Sequence, residues 1–98
     1  MKTRFLEIAD WELAESILYY ENERPGLGTE FHAEVNSALD RIEQMPLAWS
    51  RLAKDVRVCR TKRFPYGLVY QIRGDEALII AVMHLHRRPD YWRKRLMK

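Results

Sequence analysis

Two histidines and two arginines lie together at the end of the most apolar stretch of the chain. Residues 77–86 read ALIIAVMHLH, and Arg87, Arg88 and Tyr91 follow directly. Imidazole groups exchange protons near neutral pH, and guanidinium groups bind phosphate oxygens. The end of a rigid strand can hold such groups in a fixed geometry for recognition or chemistry. This segment therefore predicts a site for a phosphate-bearing or otherwise anionic ligand.

The charge of the chain is divided unequally between its two halves. Residues 1–50 contain four Lys or Arg and ten Asp or Glu, a net charge of −6, whereas residues 51–98 contain thirteen and four, a net charge of +9. Such an asymmetry is typical of a surface that binds a polyanion, although the same charges can also be ordinary solvated surface. Because the basic residues follow consecutive strands and collect around one strand end, we favour a functional surface.

Length and composition predict one globular domain spanning residues 1–98. The chain is 47% hydrophobic and 32% charged, as expected for a protein with a packed core. Its one cysteine, Cys59, excludes an internal disulfide and a cysteine-based zinc site. The first residues contain no apolar signal region, and no apolar run is long enough to cross a membrane. We expect a cytoplasmic protein that needs no metal or cofactor.

The first half of the chain predicts a short strand followed by two helices. Residues 3–8 form the candidate strand, and Asp10 is the candidate N-cap of the first helix. An apolar stripe on that helix would include Trp11, Leu13, Ala14, Ile17, Leu18 and Tyr20. Pro25 and Gly26 separate it from a second helix, which starts near residues 27–29 and ends before Pro46. The apolar stripe of this second helix is Leu27, Phe31, Val35, Ala38, Leu39, Ile42 and Met45. The two helices should pack as an antiparallel hairpin on a sheet.

The second half predicts three strands and a short terminal helix. Residues 47–54 show no clear period and are interpreted as a connector. Strands are predicted over residues 56–62, 66–73 and 77–86, with Gly74-Asp75 as a two-residue hairpin turn. Pro89 opens a short basic tail that runs to Lys98. The expected fold is α+β, in the order β-α-α-β-β-β-α, with an antiparallel sheet and the helical hairpin on one face.

Strand periodicity also predicts where the histidines point. Counting by twos from Leu78 places Ile80, Val82, His84 and His86 on one face of the last strand. With the helices covering one side of the sheet, we expect the opposite side to be concave and to be rimmed by basic side chains.

The chain resembles a known family in three of these segments. They are the helical hairpin with its PGLG break, the stretch RFPYGLVYQI, and the apolar strand that ends HLHRRPDYW. Together they resemble the RelE/ParE superfamily of type II toxins, in particular its plasmid-stabilisation proteins. The resemblance implies a cognate antitoxin, encoded next to the toxin, that wraps and blocks it. It also implies one of two activities, because RelE-like members cleave mRNA on the ribosome and ParE-like members poison DNA gyrase.

The first hypothesis is a metal-independent, ribosome-dependent endoribonuclease that inhibits translation. Attack by a ribose 2′-hydroxyl needs a base, an acid and cations that stabilise the phosphoryl oxygens. Candidates for these catalytic roles are His86, Arg87, Tyr91 and Arg63. Candidates for binding RNA or another target are Arg60, Lys62, Tyr66, His84, Arg88 and Arg93. One departure is that nuclease members usually carry an arginine where this chain has Gly67.

The second hypothesis is a gyrase inhibitor that has no catalytic residues and needs only a basic, shape-matched surface. A third is an inactive toxin kept as an antitoxin-binding module. The individual residues also have structural alternatives. His84 could be a core or antitoxin-facing histidine, Tyr91 could pack against the sheet, and Arg87 and Arg88 could form salt bridges with the acidic helices. Under either activity, the basic half should attract an acidic antitoxin.

Overall fold

The computed structural model describes residues 1–96. Its elements are β1 (Lys2–Phe5), α1 (Glu7–Glu23), α2 (Leu27–Gln44), β2 (Ser50–Ala53), β3 (Val56–Arg60), β4 (Tyr66–Arg73), β5 (Glu76–His84) and a C-terminal 3₁₀ helix (Tyr91–Leu96). The strands form a five-stranded sheet in the order β1-β5-β4-β3-β2. β1 runs parallel to β5, and the other neighbours are antiparallel. The predicted α+β fold with a helical hairpin is confirmed.

The α1 helix begins earlier than the sequence predicts. The predicted first strand is present, but it ends at Phe5 rather than at residue 8. Leu6 flanks the helix, so Asp10 lies inside its first turn and is not the N-cap. The Leu6 N–H donates a hydrogen bond to the carbonyl oxygen of Ile79, which ends the pairing with β5 and turns the chain into the helix. Glu7 and Asp10 then occupy the first turn, where the helix dipole favours acidic side chains.

The helical hairpin follows the predicted break closely. Gly26 has φ 89°, a left-handed conformation that costs glycine little, and the α2 helix starts at the next residue. The Glu21 carboxylate accepts hydrogen bonds from the N–H groups of Gly26 and Gly28, which stabilises the start of α2. On α2, the predicted stripe is buried through Phe31, Val35, Ala38 and Ile42. Only its last member, Met45, is exposed.

One strand was missed and two strands end sooner than predicted. The segment interpreted as a connector contains β2, which pairs with β3 at the sheet edge and has a register shift. With only four residues and mixed burial, β2 carries no recognisable alternation. The predicted strands over residues 56–62 and 77–86 end at Arg60 and His84, because the chain turns at both points.

The sheet is covered on both sides, which differs from the expected open concave face. On the helix face, the side packed against α1 and α2, lie Leu68, Tyr70, Ala77, Ile79 and Val82. On the tail face, the opposite side, Trp92 of the 3₁₀ helix packs with Val69, Leu78 and Ile80. Trp92 is 1% exposed and its indole N–H donates to the carbonyl oxygen of Pro89. The basic tail therefore begins as a docked element, and residues 97 and 98 of the predicted tail lie outside the described range.

A bulge in β5 overturns the predicted orientation of its residues. Val69 pairs with Ala81 and Tyr70 pairs with Ile79, so Ile80 is an extra residue in β5. Leu78 and Ile80 consequently lie on the tail face, whereas Val82 lies on the helix face. Of the four residues predicted to share one face, Val82, His84 and His86 line the same groove, whereas Ile80 lies on the opposite face. The prediction was wrong for Ile80, because one inserted residue inverts the alternation that follows it.

Candidate functional site

A groove of about 890 Å³ lies beside α1, at the end of β5. One wall is the first half of α1, and the other is the end of β5 with the segment that follows it. Its lining residues are Trp11, Glu12, Glu15, Ser16, Tyr66, Val82, His84, His86, Arg87, Arg88, Pro89 and Tyr91. The groove is thus on the helix side of the sheet, whereas the sequence predicted a basic rim on the opposite side.

Six of the ten predicted site residues line this groove. They are Tyr66, His84, His86, Arg87, Arg88 and Tyr91. The histidines and arginines arrive together because β5 ends at His84 and the chain turns there, with the Arg87 N–H bonded to the His84 carbonyl oxygen. His86, Arg87 and Arg88 are exposed, so they are available to a ligand.

The other four predicted residues, Arg60, Lys62, Arg63 and Arg93, do not line the groove. Arg60 ends β3 with an exposed side chain, and Lys62 is exposed in the turn that follows. Arg93 lies on the 3₁₀ helix, where its guanidinium is 4.8 Å from the centre of the Trp92 ring and 3.6 Å from the Asp90 carboxylate.

Arg63 is held by an acidic partner on α2. Its Nη2 donates to the Glu30 carboxylate at 2.6 Å, and this bond raises the pKa of Arg63 and lowers that of Glu30. Arg63 also has φ 70°, a left-handed conformation that is uncommon for a residue with a side chain. The turn that imposes it is closed by the Thr61 hydroxyl, which donates to backbone oxygens of Phe64 and Tyr66. In this arrangement the guanidinium of Arg63 is directed at the helical hairpin.

The histidine ring of His84 is a hydrogen-bond acceptor at Nδ1. The backbone N–H of His86 donates to that nitrogen at 3.1 Å, so the proton of the neutral ring is on Nε2. Burial lowers the pKa of His84, and the nearby Arg87 and His86 lower it further. The ring also packs edge-on against Tyr66, with 5.0 Å between ring centres. With its lone pair engaged, His84 can donate a hydrogen bond into the groove but is poorly placed to take up a proton.

Tyr91 likewise presents a protonated group. Its hydroxyl lies 3.4 Å from the carbonyl oxygen of Val82, and the guanidinium of Arg95 lies 4.9 Å from the centre of its ring. Burial and the neighbouring Glu12 carboxylate raise the pKa of the phenol above its ordinary value. Tyr91 can therefore donate a hydrogen bond or stack on a ligand, and it is a weak candidate for a base.

Glu12 and Arg95 form the best-protected ion pair near the groove. The Arg95 guanidinium donates from both terminal nitrogens to the Glu12 carboxylate, at 2.9 and 2.8 Å, and the side chains are only 14% and 16% exposed. Glu12 also accepts the Val82 N–H, and Arg95 also donates to the Ile80 carbonyl oxygen. β1 pairs with β5 only as far as Ile79, so these two side chains satisfy the backbone edge of β5 beyond that point.

The comparisons with known proteins identify the family. The family model for the ParE toxin of the type II toxin-antitoxin system, parDE, matches residues 4–89. This chain belongs to the ParE toxin family. A search of curated proteins found no match. Among solved structures, a chain described as the chromosomal ParDE TA system from P. aeruginosa is similar in fold, with a TM-score of 0.70 and 13% identity over 88% of this chain and 97% of that one.

Membership of the ParE family makes this chain the toxin component of a type II toxin-antitoxin system. A cognate antitoxin is therefore the implied partner. In this ParE-family chain the conspicuous FPYG motif is largely structural, because Phe64 packs against Tyr20 and Phe31, at 4.9 and 5.2 Å between ring centres. Tyr66 joins the same cluster and is the member that also reaches the groove.

Sequence reasoning missed the α1 wall of the groove. Trp11 was assigned to the buried stripe of α1, yet its side chain is 62% exposed. Glu12 and Glu15 were not considered as site residues, and Arg95 was treated only as part of the tail. A helical projection could have separated Trp11 from Leu13, since adjacent positions differ by about 100°. The ion pair with Arg95 has no sequence signal, because its partners are 83 positions apart.

The described part of the chain has neither a metal-binding cluster nor a membrane span. In residues 1–96, no three His, Cys, Asp or Glu side chains are grouped so that they could hold a metal ion. No helix in that range is long and apolar enough to cross a bilayer.

Proposed function

We propose that this ParE-family chain inhibits DNA gyrase by binding to it. The observation that carries the proposal is the match of the ParE toxin family over residues 4–89. In the RelE/ParE superfamily that the sequence resembles, ParE-like members poison gyrase and RelE-like members cleave mRNA. The family therefore favours the second of the two sequence hypotheses over the first.

The chemistry of the groove supports the same proposal. Cleavage through a 2′-hydroxyl needs a free base, yet the lone pair of His84 is engaged and the phenol of Tyr91 stays protonated. Arg63, a predicted phosphate ligand, is paired with Glu30. In addition, the exposed Glu15 carboxylate lines the groove on the α1 side and would repel an RNA phosphate. Binding without catalysis requires none of these missing features.

The exposed end of the groove supplies the contacts for recognition. His86, Arg87 and Arg88 project from the segment after β5, where little else competes for them. An acidic antitoxin segment that occupies this end would neutralise the arginines and cover the surface that the target needs. Toxin inhibition and target binding would then compete for the same residues.

A second candidate function is RNA cleavage, and one observation favours it. His86 is exposed and lies next to Arg87 in the same groove as Tyr91, so a proton-transfer group, a cation and an aromatic ring are close together. His86 would have to act as the base, and its ring packs edge-on against His84, with 5.7 Å between ring centres.

The experiment measures both activities of the same purified protein. Gyrase supercoiling and the gyrase–DNA cleavage complex are assayed with plasmid DNA, and mRNA cleavage is assayed in a translation extract. We expect loss of supercoiling with accumulated cleavage complex, and intact mRNA. The double variant His86→Ala, Arg87→Ala should weaken gyrase inhibition at least tenfold, since two recognition contacts are lost.

The matched control is Arg60→Ala, which removes an exposed arginine that does not line the groove. This variant should inhibit gyrase as the parent does. Ribosome-dependent mRNA cleavage that disappears in the His86/Arg87 double variant, with gyrase unaffected by the parent, would overturn the proposal in favour of the second candidate.

A further inference from the structure

A second hollow, of about 330 Å³, lies toward the other end of β4 from the groove. Its lining residues are Leu47, Lys54, Asp55, Arg57, Tyr70 and Ile72, and we call this set the distal hollow. None of them lines the groove. On β4, Tyr70 follows the groove residue Tyr66 by four positions, which is about 13 Å along a strand. The distal hollow is therefore a surface separate from the groove.

The loop that borders the distal hollow is fixed in place but leaves its leucine in water. The Tyr70 hydroxyl donates to the Pro46 carbonyl oxygen at 2.5 Å. The Arg57 guanidinium donates to the Trp49 carbonyl oxygen at 2.8 Å. Leu47 lies between these two anchored positions and is 69% exposed. A partner that covers Leu47 removes apolar surface from water without having to order this loop.

Two arginines face each other at the edge of the distal hollow. Arg51 of β2 pairs with Arg57 of β3, and Arg57 pairs with Tyr70, so both arginines project on the helix face. Like charges directly opposite each other on neighbouring strands destabilise a sheet. Each guanidinium donates to a backbone carbonyl oxygen of the β2–β3 hairpin or the adjoining loop. These hydrogen bonds fix the arginines without neutralising them.

In the described part of the chain, the cations at the distal hollow have no carboxylate partner. Among residues 1–96, no ion pair involves Arg51, Lys54 or Arg57. Asp55 also lines the hollow, but its carboxylate accepts a hydrogen bond from the side-chain amide of Gln71 at 2.8 Å. Gln71 pairs with residues of the tail face, so this carboxylate is drawn toward that face, whereas the two arginines project on the helix face. A ligand with negative charge would relieve the repulsion between the arginines.

We propose that the distal hollow is a second anchoring point for the cognate antitoxin, which would cover Leu47 with an apolar side chain and pair carboxylates with Arg51 and Arg57. The ligand is thus an acidic peptide segment that contains one large apolar residue. This role depends on the antitoxin that the ParE family implies, and not on gyrase being the target. Contact at the groove blocks the toxin, and contact at the distal hollow adds affinity.

An acidic peptide segment fits the distal hollow better than two other occupants. The phosphates of a nucleic acid would pair with the arginines but would leave Leu47 and the apolar wall in water. A second copy of the chain, docked symmetrically, would bring the same arginines against each other. A peptide with both a carboxylate and an apolar side chain satisfies both parts of the surface.

The antitoxin can reach both sites with a short segment. The longest dimension of the molecule is 39 Å, which an extended chain of about twelve residues spans. Once one site is occupied, the other site binds at a raised effective concentration, so that two weak contacts together give tight binding.

The experiment titrates the protein encoded next to the toxin gene into the purified parent and variant chains by calorimetry. Arg51→Glu should weaken binding of that protein at least tenfold, because it replaces an attracting charge with a repelling one. Leu47→Gln should weaken binding about fivefold, because it removes the apolar contact. Added salt should reduce the effect of Arg51→Glu and leave that of Leu47→Gln.

The matched control is Arg60→Glu, which makes the same charge change at an exposed position outside both the groove and the distal hollow. It should weaken antitoxin binding by less than about twofold, since solvent screens a charge that makes no contact. Free Arg51→Glu should inhibit gyrase as the parent does. A parent chain that leaves gyrase untouched would refute the proposed function alone, because the antitoxin titrations are read separately.

Three outcomes would overturn the proposal. One is equal antitoxin binding by Arg51→Glu and Arg60→Glu, and another is failure of the adjacent gene's product to bind the parent chain. The third is loss of gyrase inhibition in Arg51→Glu with unchanged antitoxin binding, because the distal hollow would then contact the target. Thermal unfolding of each variant confirms that it is folded before binding is compared.

Discussion

At the residue scale, the most consequential contact is the ion pair between Glu12 and Arg95. It joins α1 to the C-terminal 3₁₀ helix and satisfies two backbone groups at the open edge of β5. An isolated charge in this half-buried position would be costly, because little water reaches it. The pair therefore holds α1, which forms one wall of the groove, against the end of β5, which forms the other wall.

Removing one partner of this pair should be strongly destabilising. We expect Glu12→Gln or Arg95→Met to lower the free energy of unfolding by about 2–3 kcal/mol, somewhat below the range for fully buried pairs. The double variant should lose less than the sum of the two, with a coupling of about 1–2 kcal/mol in a double-mutant cycle measured by urea unfolding. Strict additivity would contradict this account.

The exposed pair of Asp90 and Arg93 supplies the comparison. Its atoms are 3.6 Å apart and its side chains are 74% and 52% exposed, so solvent screens the attraction. Replacing Arg93 by glutamine should change the free energy of unfolding by less than about 0.5 kcal/mol.

At the element scale, the helical hairpin depends on a close approach of α1 and α2. A Cβ atom built on Gly28 would lie 2.6 Å from the Ile17 carbonyl oxygen and 2.9 Å from the Glu21 Cβ. Both atoms belong to α1, and the first is backbone, so the helices would have to separate.

Gly28→Ala should therefore destabilise the protein although alanine favours helices. We expect a net loss of about 1–2 kcal/mol in the free energy of unfolding, because overpacking exceeds the gain of about 1 kcal/mol in helix propensity. Asn36→Ala, at an exposed position of the same helix, should be neutral or slightly stabilising. A stabilised Gly28→Ala variant in thermal unfolding would show that the two helices can move apart at no cost.

At the scale of the whole molecule, the sheet is stabilised from both sides. Trp92 is the largest side chain of the cluster on the tail face, and it is 1% exposed. Trp11, on the outer face of α1, is 62% exposed. The two tryptophans therefore test whether the tail face belongs to the cooperative core.

Trp92→Ala should lower the free energy of unfolding by about 3–5 kcal/mol, because it leaves a cavity over the sheet. Trp11→Ala should change it by less than about 0.5 kcal/mol, since the side chain is already largely in water. The measurement is thermal or urea unfolding of both variants. Similar losses for the two would mean that the 3₁₀ helix is not packed on the sheet in solution.

Much of the architecture could be predicted from local patterns. The break at Pro25-Gly26, the α2 stripe through Phe31, Val35 and Ile42, and the Gly74-Asp75 turn of the β4–β5 hairpin all agree with the structure. These features depend on residues near one another in the chain. β2 was not predicted, because its four residues show no alternation of apolar and polar side chains. They form a strand because they pair with β3 at the sheet edge.

By itself, the sequence determined that His84, His86, Arg87 and Arg88 would gather at the end of one strand, because they are adjacent in the chain and the apolar run stops there. Only the tertiary structure decided on which side of the sheet these residues lie. The extra residue at Ile80 changes the alternation of β5, and the pairing partners of Arg63 and Arg95 come from distant helices. Neither effect is local, since a bulge is defined by the opposing strand and an ion pair by the fold that brings its two charges together.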